Sequence, residues 1–319
     1  MNNPNASSCL HFTKTMATLK LILKNGLRYS FAFEELTNDI INNFCNEFAS
    51  NNNLCNPIKI ASDDNWGMAI PMVSFCDIPL TRAYSHAINY GKYIIGIDKP
   101  FLLKYYRHFF NPVIYVNCMN VQKAMSFFSS ERLKTMDRIL KYLSEHSKEV
   151  DNTIYKENLS SKEILSSLPE SLRIEHLQRM EENYYSFVLA SFYKPIYGKD
   201  SKGIERNFYE EREWRMVFPS LDKTPLEWVK ACTRNEFMKL RNQLNMSVST
   251  YEDAYITIPT NCWDAISHIV VRYEYQRDSL IKFIMNSNKL FGVKVDKNDE
   301  LKLKIISKIS SFEKTENDY

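Results

Sequence analysis

The sequence predicts an α+β fold, in which strands and helices occupy separate stretches of the chain. Segments rich in β-branched and aromatic residues lie before residue 117 and return after residue 211. Between them, apolar residues recur at helical spacing over 120–193. This order differs from the regular alternation of strand and helix that builds a parallel doubly wound sheet. The content of 44% hydrophobic and 25% charged residues is typical of a globular protein.

The clearest predicted strand is the apolar run 70–76. Asp77-Ile78-Pro79 closes it, which indicates a buried strand that ends at a loop. The predicted strands, in chain order, are 10–13, 27–33, 70–76, 93–97, 113–116, 212–218, 255–258 and 268–272.

The helices are predicted from apolar spacing and from their end residues. Thr15 begins the first helix, and Gly26 ends it as a left-handed cap. Gly91 stops a second helix over 82–90 in the same way. The remaining predicted helices cover 120–149, 160–168, 172–193 and 275–284. In the helix 172–193 the predicted inner side carries Ile174, Leu177, Tyr184, Val188 and Leu189.

The predicted organisation is one α+β domain over 1–285, with a helical insertion at 120–200. A C-terminal extension follows at 286–319, and its charged end frays from Glu313 onward. The turn-rich segment 46–67 and the polar segment 199–207 are predicted loops.

Composition narrows the classes of function. The net charge is only +3, so the composition does not indicate a strongly basic surface that binds nucleic acid. The 7 glycines argue against a Gly-rich loop that binds phosphate. The 7 cysteines include no pair at two-residue spacing, and no zinc pattern links the 6 histidines, so we expect no metal site. Because no run reaches the roughly 18 apolar residues of a membrane span and the start lacks a signal peptide, we expect a cytoplasmic protein.

The densest charged cluster lies at the start of the predicted strand 212–218 and contains Glu211, Glu213 and Arg215. On an extended segment these alternate side chains share one face. Two carboxylates beside a cation suit a cationic transition state, such as the one formed when a bond at a sugar anomeric carbon breaks. The alternative is a solvated strand edge on which these side chains form weak ion pairs.

His11 and Thr13 also share a strand face, which suits the binding of a ribose or an amide. The alternative is a core histidine followed by a threonine that caps the next helix. Ser74 lies inside an apolar run and needs a hydrogen-bond partner or a ligand. His86 and Tyr90 are one helical turn apart, and they either face a cleft or form a surface pair.

These residues lie in segments that also carry a family resemblance. The segments are Leu10-His11-Phe12-Thr13, Pro71-Met72-Val73-Ser74-Phe75-Cys76-Asp77-Ile78-Pro79-Leu80, Glu211-Arg212-Glu213-Trp214-Arg215 and His268-Ile269-Val270-Val271. In this order they resemble the abortive phage infection AbiGi family, described as the antitoxin partner of a two-protein phage-defence locus. The resemblance extends over 9–285 and is weakest in the helical middle. Ile94 departs from it, since a second glycine is expected before Ile95-Gly96.

A more distant resemblance links the same residues to DarT-type and related ADP-ribosyltransferases. It implies a split antiparallel sheet with a helical insertion, and NAD as the substrate. By this resemblance His11 holds the NAD ribose, Ser74 supports the nicotinamide pocket, and Glu213 or Glu211 is the catalytic carboxylate. Thr13 and Tyr90 are further candidate NAD-binding residues.

Three functions follow as alternatives. The first is an antiviral defence enzyme that cleaves NAD and transfers ADP-ribose to a macromolecule, with nucleic acid as one acceptor class. The second is a non-catalytic antitoxin or sensor that binds a partner toxin from the same locus. The third is a nucleic-acid-processing effector, which rests only on the aromatic and basic patch Tyr105-Tyr106-Arg107-His108.

Overall fold

The computed structural model describes residues 7–35, 66–116, 134–135, 137–139, 141–143, 145, 166, 168–199, 204–218, 230–295 and 299–317. Its strands are β1 (Ser8–Thr13), β2 (Leu27–Arg28), β3 (Ser30–Glu35), β4 (Trp66–Cys76), β5 (Tyr93–Asp98), β6 (Phe110–Pro112), β7 (Ile114–Val116), β8 (Tyr193–Pro195), β9 (Tyr197–Lys199), β10 (Glu205–Asn207), β11 (Glu213–Val217), β12 (Lys230–Thr233), β13 (Tyr255–Ile256), β14 (Ile266–Val271), β15 (Lys289–Leu290), β16 (Val293–Lys294) and β17 (Ile309–Ser311). Its α-helices are α1 (Met16–Asn25), α2 (Ala83–Tyr90), α3 (Lys99–Tyr105), α4 (Glu170–Ala190), α5 (Arg234–Ser249), α6 (Gln276–Asn286), α7 (Asp299–Ile306) and α8 (Phe312–Asn317).

The fold combines helices and strands, as expected, but its main sheet is mixed, whereas the resemblance to ADP-ribosyltransferases implied a split antiparallel sheet. The strand order of the main sheet within the described residues is β17-β14-β5-β1-β4-β11-β6, and β3 and β12 pair with the first half of β4. These pairs are antiparallel except for β14 with β17, which run parallel. Since β17 extends this sheet, the chain beyond residue 285 continues the main architecture.

Strand β4 is the longest strand of this sheet and changes partners along its length. Its residues 72–76 pair with β11, and its residues 66–69 pair with β12. Pro71 lies between these two stretches. Because neither β11 nor β12 pairs with β4 at this position, the missing N–H of the proline removes no backbone hydrogen bond to them. On the other side, β1 and β4 pair through Leu10 and Cys76, whereas β1 pairs with β5 from Ser8 to Thr13. The sheet therefore opens between β1 and β4.

The two faces of the sheet pack against different helices. On the first face, residues such as Cys9, Phe75 and Ile95 join a large core with α1, α3, α5, α6 and α7. On the second face, Leu10 and Cys76 join a smaller core with α2 and α8. Because neighbouring residues of a strand point to opposite faces, this division fixes the side on which each candidate residue lies.

The predicted helix ends are confirmed at α1 and α2. The Thr15 side chain accepts a hydrogen bond from the Thr18 amide at 3.1 Å, which caps the start of α1. Gly26 and Gly91 follow the two helices with φ of 94° and 116°, a region that favours glycine. A Cβ on Gly91 would lie 2.2 Å from the Thr13 carbonyl oxygen, so this close approach also requires glycine.

Several expectations need correction. Within the segment predicted as a polar loop over 199–207, residues 205–207 form β10, which pairs with β9, and residues 200–203 lie outside the described residues. Ile174, Leu177 and Leu189 were expected on the inner side of their helix, but they are 47%, 50% and 49% exposed. Of the loop expected over 46–67, residues 66–67 instead begin β4, and residues 46–65 lie outside the described residues. Most of the helices expected over 120–149 and 160–168 also lie outside them.

Candidate functional site

The candidate carboxylates lie in a group of five charged side chains, here called the charge network: Glu34, Lys194, Glu211, Glu213 and Arg215. Three strands, β3, β8 and β11, and the turn before β11 supply them. Of these side chains, Glu34 is the most exposed, at 21%, and Arg215 is fully buried. Charges at such positions require partners, because water no longer solvates them.

Glu213 and Arg215 are two residues apart on β11 and share its second face. The guanidinium binds the carboxylate through Arg215 Nε to Glu213 Oε1 at 2.8 Å and Arg215 Nη2 to Glu213 Oε2 at 3.2 Å. Arg215 Nη2 also lies 2.9 Å from Glu34 Oε2, and Arg215 Nη1 donates to the Ser191 carbonyl at 2.8 Å. Every nitrogen of this guanidinium therefore has a partner.

Lys194 joins the two candidate carboxylates to each other. Its Nζ lies 2.7 Å from Glu211 Oε2 and 2.8 Å from Glu213 Oε2. The same ammonium lies over the Phe208 ring, 4.7 Å from the ring centre. Strand β8 therefore places a cation between the two acids that the sequence suggested as a catalytic pair.

Glu211 reaches Lys194 by a route that differs from the extended backbone predicted for 210–215. It ends the 3₁₀ turn Phe208–Glu211, and Arg212 then adopts a left-handed conformation with φ of 44° and ψ of 49°. This conformation is uncommon for a residue other than glycine. It reverses the chain so that Glu211 and Glu213 both reach one ammonium group.

Two tyrosines complete the surroundings of the acids. The Tyr90 hydroxyl at the end of α2 donates a hydrogen bond to Glu211 Oε1. The Glu213 amide donates to the Tyr115 hydroxyl oxygen at 2.8 Å. Tyr90 also contacts the Phe12 ring, as does His86, so the predicted shared side of His86 and Tyr90 faces β1.

The pKa values of the network follow from burial and charge. Burial alone raises the pKa of Glu213, but Arg215 and Lys194 more than offset this and hold it well below its usual range. Burial lowers the pKa of Lys194, and the carboxylates of Glu213, Glu34 and Glu211 raise it above its usual value. All three side chains with such shifts, Arg215 included, are charged at neutral pH.

The structure places His11 away from this network. Leu10 pairs with Cys76, and Cys76 pairs with Glu213, so these three residues share the second face. His11 follows Leu10 and points to the first face, where its ring packs edge-on against Phe75 at 5.9 Å. His11 Nδ1 lies 2.9 Å from the Ser74 carbonyl oxygen. Burial lowers the pKa of His11, which favours the neutral imidazole.

The other candidate residues divide between the two faces. Thr13 is buried and shares the first face with His11, as their spacing predicted. Ser74 pairs with Arg215 across the strands and so lies on the second face with Glu213. The Ser74 hydroxyl lies 3.8 Å from the Met72 sulfur, a weak contact for a hydroxyl group. Ser74, Tyr90, Glu211 and Glu213 thus lie on the second face, where Tyr90 contacts Glu211, whereas His11 and Thr13 lie on the first face.

This arrangement restricts what the acids do chemically. Each oxygen of Glu213 already accepts a hydrogen bond from Arg215 or Lys194, and the residue is 6% exposed. A ribose hydroxyl therefore has no direct access to the carboxylate that would bind it. NAD does not fit the network as arranged, and the roles predicted for these residues stay predictions.

Sequence reasoning missed Glu34, Lys194 and Tyr115. Lys194 and Tyr115 lie 19 and 98 residues from Glu213 along the chain, so no local motif links them to it. The one available signal is that Lys194 follows Phe192-Tyr193, since a lysine in an apolar, aromatic segment needs a buried partner.

The described residues contain no group of three or more His, Cys, Asp or Glu side chains arranged to hold a metal ion. No helix in the same part of the chain combines the length and the apolar character needed to span a bilayer.

Comparison with known proteins identifies relatives of the chain. A family model described as "Putative abortive phage resistance protein AbiGi, antitoxin" matches residues 38–258. A relative from Lactococcus lactis subsp. cremoris, named "Abortive phage resistance protein AbiGi", is 27% identical over 256 residues, which cover 78% of this chain and 89% of that protein. No solved structure matches the chain significantly.

Proposed function

This chain belongs to the AbiGi family of abortive phage resistance proteins, and we propose that it acts as an antitoxin that binds a partner toxin. The family description and the lactococcal relative support a role in phage defence, and the word antitoxin in that description supports the role of a binding protein. In this proposal the chain restrains its partner by contact, without chemistry of its own.

The charge network is the observation that carries the proposal. Lys194 neutralises both candidate carboxylates, and Arg215 holds Glu213 in a buried, two-point ion pair. The imidazole expected beside them lies on the other face of the sheet, bound to the Ser74 carbonyl. Such an arrangement supports a structural role, because these groups satisfy each other and leave no base or acid free for a substrate.

A second observation supports binding to another protein. Helix α4 exposes Ile174 and Leu177, three residues apart on one side, at 47% and 50%. Residues at this spacing are neighbours on a helix surface, and exposed apolar patches commonly mark protein contacts.

The experiment is co-expression with the protein encoded beside this gene. We expect the neighbour alone to slow growth, this chain to restore growth, and the two proteins to co-elute in gel filtration. Purified parent protein, incubated with NAD, is expected to release no nicotinamide. Failure to restore growth and to co-elute would contradict the proposal.

Cleavage of NAD is the second candidate function, and one observation favours it. Ser74 of β4 borders the opening between β1 and β4, and Glu213 lies on the same face, one strand further from the opening. For this function Lys194 would have to leave Glu213 when NAD binds. The nicotinamide assay separates the two functions: release by the parent that Glu213→Gln removes, with folding retained, supports the enzyme.

A further inference from the structure

A cleft lined by lysines lies between α1 and α6, and none of its lining residues belongs to the charge network. It has a volume of about 440 Å³. Its lining comprises Lys20, Lys24, Ser279, Lys282, Phe283, Asn286, Ser287 and Asn288. We call this feature the lysine cleft. Three cations and several hydrogen-bond donors around a small space favour an anionic ligand.

The lysines of this cleft have no carboxylate partner among the described residues, and Lys20 makes only neutral contacts. Lys20 Nζ donates to the Ser279 hydroxyl at 3.1 Å and lies 5.5 Å from the centre of the Phe283 ring. Lys24 and Lys282 are exposed, and no carboxylate of the described residues lies within ion-pair distance of either. Their charge is therefore available to a ligand.

The neighbouring hairpin of β15 and β16 extends the positive surface. Lys289 pairs with Lys294 across this hairpin. The turn of the hairpin is fixed to the end of α1, because the Phe291 amide donates to the Leu23 carbonyl and the Gly292 amide donates to the Lys24 carbonyl. The hairpin therefore adds two lysines in a segment that begins directly after Asn288, the last lining residue of the lysine cleft.

An apolar side chain lies beside these cations. Leu21 of α1 is 59% exposed, and it is three residues from Lys24, so the two are neighbours on the helix surface. Together with Phe283 on the wall of the cleft, Leu21 gives the surface a mixed apolar and basic character.

The geometry points to the lysine cleft as the docking surface for an acidic segment of the partner protein. This inference rests on the proposed function and names the chemistry of the partner. A protein segment fits better than nucleic acid for two reasons. The net charge is only +3, so the positive surface is local, and an exposed leucine complements an apolar side chain better than a phosphate backbone.

The test compares two double variants in the complex with the protein encoded beside the gene. Lys24→Glu/Lys282→Glu reverses two charges in the lysine cleft. Lys239→Glu/Arg241→Glu reverses two exposed charges on α5 and is the matched control. Dissociation constants are measured by titration calorimetry, and thermal melts verify that both variants fold.

We expect at least a tenfold weaker complex for the cleft variant and parent-like binding for the control. We also expect binding by the parent to weaken as NaCl rises from about 0.05 M to about 0.5 M. Equal binding by the cleft variant and the parent overturns the docking surface but leaves the antitoxin proposal intact. Absence of binding by the parent overturns both. Binding of a labelled oligonucleotide that only the cleft variant loses, with partner binding intact, reassigns the cleft to nucleic acid and also overturns the inference.

Discussion

The Nδ1 atom of His11 lies 2.9 Å from the main-chain carbonyl oxygen of Ser74. This contact joins β1 to β4 just beyond Leu10 and Cys76, where the backbone pairing of the two strands ends. On the first face, the imidazole therefore connects β1 and β4 where they no longer pair. Its contact with the Ser74 carbonyl takes the place of a backbone hydrogen bond between the two strands. A residue that looked like a ribose ligand in the sequence has a structural partner in the fold.

His11→Ala is expected to destabilise the fold by about 2 kcal/mol, because it removes this hydrogen bond and leaves a cavity beside Phe75. Urea unfolding measures the change. The control is His108→Ala, since His108 is exposed, and its effect should stay within about 0.5 kcal/mol. Equal stability of His11→Ala and the parent would show that the contact contributes nothing to the fold.

Glu213→Gln is expected to lower the free energy of unfolding by about 3 kcal/mol. The change leaves the buried guanidinium of Arg215 and the ammonium of Lys194 with one carboxylate fewer. Glu210→Gln is the control, because Glu210 is exposed within the 3₁₀ turn Phe208–Glu211. A stable Glu213→Gln that had lost an activity of the parent would instead indicate a catalytic carboxylate.

The ion pair between Glu213 and Arg215 predicts that the stability of the fold depends on pH. The pKa of Glu213 is lower in the folded chain than in the unfolded chain, where a glutamate titrates near about 4.3. Its ionised form therefore stabilises the fold above that pH, and the contribution is lost as pH falls below it. We expect the stability difference between parent and Glu213→Gln to be largest at about pH 7 and to shrink towards about pH 3. A difference that stays constant over this range would show that Glu213 is not ion-paired.

Substitutions of Arg212 test the backbone conformation between Glu211 and Glu213. Its φ of 44° disfavours β-branched residues, whereas asparagine tolerates this region. Arg212→Val is expected to be less stable than Arg212→Asn by about 1–2 kcal/mol, as measured by thermal unfolding of both variants. Both changes remove the same side chain, so their difference isolates the backbone. Matching melting curves would argue against the left-handed conformation.

The ends of α1 and α2 and most strands could be predicted from the sequence, because residues within a few positions of each other determine them. Thr15 and Gly26 mark the bounds of α1, and the apolar run over 70–76 marks β4. The hairpin of β9 and β10 was missed, since its polar residues resemble those of a loop. The exposure of Ile174 was also missed, because an apolar residue at helical spacing does not indicate whether a neighbour covers it.

The sequence by itself determined that the chain combines helices and strands, where α1 and α2 end, and the residue types of the candidate site. Spacing of apolar residues and turn chemistry act over a few positions and can be read directly. Only the tertiary structure decided that Lys194 lies between Glu211 and Glu213, and that His11 faces the other side of the sheet. Strand register fixes the face of every side chain, and this register depends on pairings between residues far apart in the chain.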